Sequence, residues 1–119
     1  MLVGDAPPHD EDVYQVHALL DGMRNAGLTV HAVHVPMEYR EGHYERLGPE
    51  QAMAARKWLE DYNASTARMF AEIAEAGGGD KTELKEADQL VPSIMHFTIE
   101  EPWWPAFDEF YAAYLELCR

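Results

Sequence analysis

Leu28-Thr29-Val30-His31-Ala32-Val33-His34-Val35 is rich in β-branched residues and largely apolar on both parities, and Pro36 closes it. A strand with one wet side alternates apolar and polar residues. This one does not, so it is predicted to be covered on both faces, as strands of parallel sheets are. Just before it, Gly27 stands where a left-handed helix cap belongs. Further back, Val13, Val16, Leu20 and Met23 recur at helical spacing, which predicts a helix over residues 12 to 26 with one apolar face. Asp12 with Gln15 resembles a capping box, and Asp10-Glu11-Asp12 suits the positive end of a helix dipole. At the start, Leu2-Val3-Gly4 is a short apolar run stopped by Asp5 and by Pro7-Pro8. The first 35 residues therefore read strand, helix, strand, a unit whose strands lie parallel with a right-handed crossover.

Downstream, residues 37 to 48 show no clean period and read as a long connection. Pro49 suits a first helical position, and Met53, Trp58, Leu59, Tyr62, Phe70 and Ile73 carry a helical pattern to Ala76. Asn63-Ala64-Ser65-Thr66 is a candidate break into two helices, with Ser65 as a candidate second cap. Gly77-Gly78-Gly79 reads as a helix end and turn. It follows a helix, so the dipole there is negative and disfavours a phosphate. Lys81-Thr82-Glu83-Leu84 is a candidate strand. Asp88 opens a further helix with Pro92 in its first turn, and residues 103 to 118 form a last helix with Phe107, Phe110, Tyr111, Tyr114 and Leu117 spaced by three or four. The fold class expected is α/β: part of a doubly wound, Rossmann-like sheet, with about three short parallel strands flanked by helices.

Bulk properties narrow the function classes. A chain of 119 residues that is 47% apolar supports one small domain with a core. A formal charge of −13 opposes nucleic acid and anionic membrane surfaces and suits a cation or a basic partner. No apolar run approaches the ~20 residues that cross a membrane, and no basic-then-apolar leader opens the chain, so membrane insertion is not expected and a cytoplasmic location is. Cys118 is the single cysteine. It permits no internal disulfide, and the neighbouring acids disfavour its thiolate. No phosphate-binding loop, dinucleotide fingerprint or Ser-His-Asp grouping is present.

The order of these segments resembles the C-terminal half of a von Willebrand factor type A (VWA) domain. The resemblance is carried by the apolar strand with Gly4-Asp5-Ala6-Pro7-Pro8, the acidic helix start, Gly27-Leu28-Thr29-Val30-His31-Ala32-Val33, the helix Met69 to Ala76 closing on Gly77-Gly78, and the segments 82–84 and 88–97. It covers roughly residues 1–35 and 66–98, a domain over 1–98 with 36–65 as an insertion and 99–119 as a helical extension. It implies a non-enzymatic, adhesion-type protein-binding module. In that family Mg²⁺ is held by three loops. The Asp-x-Ser-x-Ser loop and the threonine loop have no counterpart here. Only the third contributor maps, to Asp5, which acts through a water in the family. One carboxylate cannot satisfy a hard cation that takes about six or more oxygen ligands, so the resemblance implies an incomplete metal site, filled only if a missing N-terminal half is supplied. It also implies an apolar first strand with an open edge. Such an edge invites another chain, whether that missing half, another protein or a second copy pairing through the first strand.

Asp5, His9 and His34 are the candidate ligand edge, because ligands of open α/β sheets bind outside the carboxyl ends of strands. A small metal-binding protein or enzyme using these three is the alternative to the binding module. His31 and His34 are three apart on a strand, so they face opposite sides and cannot chelate one ion together. His43 is a weaker candidate for joining His9 and His34. Trp103, Trp104, Phe107 and Tyr111, on an aromatic face that also includes Phe110 and Tyr114, are candidate partner-binding residues, since aromatic anchors dominate interfaces. A helix packed on its own domain is the plainer account of them.

Overall fold

The computed structural model describes residues 1–40, 42, 44–86 and 89–118. His43 and Asp88, both singled out from the sequence, lie outside the described residues. The chain forms two compact units, Met1–Glu83 and Leu84–Arg119.

The first unit is built on a three-stranded parallel sheet in the order β1-β2-β3, with β1 Leu2–Gly4, β2 Val30–His34 and β3 Gly78–Glu83. Helix α1, Val13–Asn25, links the first pair of strands, and α2, Pro49–Ala76, ends directly before β3. Both crossovers step the same way across the sheet. A shared right hand puts their helices on one face, where α1 and α2 touch each other. The expected α/β arrangement with flanking helices is thus present.

Helix α1 ends as Gly27 predicts. Gly27 has φ +75°, its N–H donates to the Arg24 carbonyl, and the Leu28 N–H donates to the Met23 carbonyl. This is the Schellman pattern, which uses two of the helix's last free carbonyls. The capping box at the other end does not form. Asp12 already has helical angles (φ −95°, ψ −13°) and its side chain makes no capping bond, whereas a capping side chain needs an extended residue.

Helix α2 runs unbroken for 28 residues, so the break expected at Asn63–Thr66 is absent. Sequence favours a break there because short polar side chains compete for backbone groups. Here that competition is absorbed. The Thr66 hydroxyl donates to the Tyr62 carbonyl within the helix. Asn63 reaches outward instead, accepting from the Met37 N–H at 2.9 Å and donating to the Met37 carbonyl at 2.8 Å. Asn63 thereby pins the connection after β2 to α2.

The core is the contact of α2 with the sheet. Phe70 and Ala74 are buried with Ala32, and Phe70 Cζ lies 3.2 Å from where a Cβ on Gly4 would stand. Fully burying such a side chain contributes about 1.5–3 kcal/mol. The glycine triplet is a steric requirement as well as a turn. A Cβ on Gly77 would lie 2.6 Å from Val30 Cβ, a Cβ on Gly79 would run into the Val30 carbonyl, and Gly78 has φ +71°. The chain can pass this close to β2 only without side chains. Consequently β3 starts at Gly78, earlier than the Lys81 expected, through an irregular register between Val30 and Ala32.

The second unit contains α3, Leu90–Thr98, and α4, Trp104–Leu117, the latter preceded by a 3₁₀ turn at Glu101–Trp103. Neither helix has a buried residue. Polar and aromatic contacts hold the pair instead. His96 Nε2 lies 2.7 Å from Asp108 Oδ1, the imidazole stacks on Trp104 at 5.0 Å and meets Phe107 edge-on, and Trp104 Nε1 donates to the Ile99 carbonyl.

Candidate functional site

The carboxyl edge of the sheet brings together Gly4, His34 and Glu83, which are partners in register across the three strands. Asp5 follows directly and is exposed. His34 is 1% exposed. Its ring lies 5.6 Å from that of Phe70, and Nδ1 lies 4.0 Å from Glu83 Oε2, which Lys81 Nζ also approaches at 3.7 Å. Among the described residues neither ring nitrogen has a hydrogen-bond partner. Burial holds the imidazole below its ordinary range. Glu83 and, more weakly, Asp5 oppose that effect, and Lys81 adds to it. His34 is therefore neutral at pH 7.

Of the sequence candidates, the structure brings Asp5 and His34 within electrostatic reach of each other. His9 is exposed, and its carbonyl accepts from the Asp12 N–H at 2.8 Å at the start of α1. His31 Nδ1 accepts from the Asp80 N–H. Sequence reasoning did not select Glu83, which enters because the strand register sets it beside His34. Among the described residues no group of three or more His, Cys, Asp or Glu could hold a metal ion. Asp5 alone does not supply the oxygen ligands that Mg²⁺ takes.

The other notable feature is the free edge. Among the described residues β1 pairs with β2 alone. The Val35 N–H donates to the Gly4 carbonyl, so in the parallel pattern Leu2 and Gly4 bond inward and Val3 turns its N–H and C=O outward. An apolar trough runs alongside. Exposed Met1, Leu2, Leu19 and Met23 form its rim, and Leu20 and Ile73 its floor. Leu19 is 68% exposed. Nothing local in the sequence marks Leu19 as the exposed one, because successive helical residues can share one face, as the buried Ile73 and Ala74 do in α2.

In the second unit Trp104, Phe107 and Tyr111 are half-buried, and Trp103 is exposed. Phe110 and Tyr114, which belong to the aromatic face read from the sequence, are exposed, and so is Leu117, which was not part of that face. A side-chain hydrogen bond with Cys118 pushes the Tyr114 hydroxyl above its usual range. Among the described residues no helix is long and apolar enough to cross a membrane.

Comparison with known proteins returned no matching protein-family model, no matching curated protein and no matching solved structure.

Proposed function

We infer that this protein is a non-catalytic binding module of VWA-like type, and that it recognises a protein partner by taking a strand onto the outer edge of β1. One observation carries this: an unpaired strand edge lies beside an exposed apolar trough rimmed by Met1, Leu2, Leu19 and Met23. A free edge is a template for main-chain pairing, and pockets beside it read alternate side chains. The sequential parallel order of the strands and the place of Asp5 after β1 are what the VWA resemblance leads one to expect. A metal-binding or catalytic role for Asp5, His9 and His34 has less support, because the His34 ring is enclosed by Phe70 and Glu83.

The test uses Val3→Pro. Proline is tolerated on an edge strand when the lost N–H faces outward, so this variant should fold while losing strand addition. A phage-displayed library of random 12-residue peptides would be panned against the chain and against Val3→Pro. Enrichment of extended apolar peptides that fail to bind Val3→Pro is expected. No enrichment, or equal capture by both proteins, contradicts the assignment. Light scattering on the same pair distinguishes a second copy as the occupant, since self-pairing would show a dimer that Val3→Pro abolishes.

A further inference from the structure

Helix α4 and the residue before it carry a second apolar surface, of a different kind. Trp103, Ala106, Phe110, Ala113 and Leu117 follow one another at alternating spacings of three and four. That is the a/d repeat of a helix seam. All five are exposed, with Trp103 at 65%, Phe110 at 67% and Leu117 at 87%. The stripe is distinct from the half-buried line of Trp104, Phe107 and Tyr111. On the same repeat Glu109 and Glu116 take the flanking g positions, and both are exposed. In helix pairs these positions choose the partner by charge. No lysine or arginine occurs between Glu86 and Cys118, whereas Glu100, Glu101, Asp108, Glu109 and Glu116 all fall there.

We propose that the Trp103–Leu117 stripe docks an amphipathic helix of a partner protein that presents an apolar seam flanked by lysine or arginine. The apolar repeat specifies a helix as the occupant, since an extended strand would meet only part of a seam spaced by three and four. The charge specifies a basic one. A second copy of this chain would bring another acid-only segment, so like charges oppose it. A large aromatic at the centre of such a seam is the residue type that anchors interfaces. Docking there is independent of strand addition at β1.

The probe is a synthetic three-heptad peptide with leucine at a and d and lysine at e and g, titrated into the full chain and followed by tryptophan fluorescence. Two controls accompany it: the same composition scrambled to destroy the seam, and the same seam with glutamate in place of lysine. Saturable binding of the lysine peptide is expected, at least about tenfold tighter than either control. The double variant Phe110→Ala/Leu117→Ala should weaken it by about tenfold or more, with far-UV circular dichroism unchanged because both side chains are exposed. The variant Glu109→Lys/Glu116→Lys should move the preference toward the glutamate peptide. Binding of the scrambled peptide as tightly as the seam peptide would reduce the effect to net charge and overturn the proposal. So would no binding at all, or a chain already dimeric through this stripe, as shown by light scattering that turns monomeric in Phe110→Ala/Leu117→Ala.

Discussion

In residues 1–83, Phe70 is 2% exposed and packs with Ala32 and Ala74 beneath a sheet. In residues 84–118, the large aromatics are at best half-buried, and neither helix encloses a single residue. The two regions also treat histidine oppositely. His34 is enclosed, with both nitrogens unpartnered among the described residues, whereas His96 is held by a carboxylate at 2.7 Å and by a stacked indole. The first region gains its stability from burial, strongly enough to carry an unsatisfied imidazole. The second gains it from a few specific contacts. Fewer than about 40 residues seldom bury enough surface to be stable alone, so the second region is expected to be the less stable of the two.

The largest test of this contrast is Phe70→Ala. Removing a buried phenylalanine costs about 3–5 kcal/mol, so chemical denaturation should show loss of most of the stability of residues 1–83. A loss of under about 1 kcal/mol would mean that the sheet face is not the core. Gly79→Ala comes next. Its Cβ meets the Val30 carbonyl, and overpacking of this kind costs about 1–3 kcal/mol. The same substitution at Gly22, where a Cβ meets nothing within 4 Å, should be neutral or slightly stabilising. His96→Ala should cost about 1 kcal/mol, read as faster amide exchange in α3 and α4 while β2 and α2 keep their protection.

The smallest effect at neutral pH, and the most specific, concerns His34. Its folded pKa lies below the ordinary 6.5, so the folded chain binds fewer protons than the unfolded one and acid favours unfolding. The stability that neutral His34 contributes is complete above 6.5 and is lost as pH falls through the lowered folded value. The urea midpoint of the wild type should therefore fall more steeply between about pH 7.5 and 5 than that of His34→Leu. Parallel slopes would show that His34 is not held neutral.

How much of this was legible follows from where each signal resides. Strand β2 and helix α1 were readable because local pattern and burial agree: Val30 to His34 is apolar on both faces, and Gly27 marks the helix end. The continuity of α2 was not readable, because the partner of Asn63 is the backbone of Met37, 26 residues away. The early start of β3 was hidden for a similar reason. Gly77 to Gly79 look like a turn until Val30 is placed against them. At the site, Asp5 and His34 were assigned to the correct sheet edge from strand ends alone. Glu83 and the enclosure of His34 depend on register and on Phe70, which no local pattern encodes. The rim residue Leu19 and the seam of Phe110 and Leu117 needed the structure to show which apolar residues stay outside.

The most direct measurement is the exchange rate of the Val3 amide by NMR, with and without a peptide enriched on the wild-type chain. If β1 takes up a strand, the Val3 amide slows on binding, while the Leu2 and Gly4 amides, already bonded toward β2, change little. Binding that leaves Val3 unprotected would contradict strand addition at this edge.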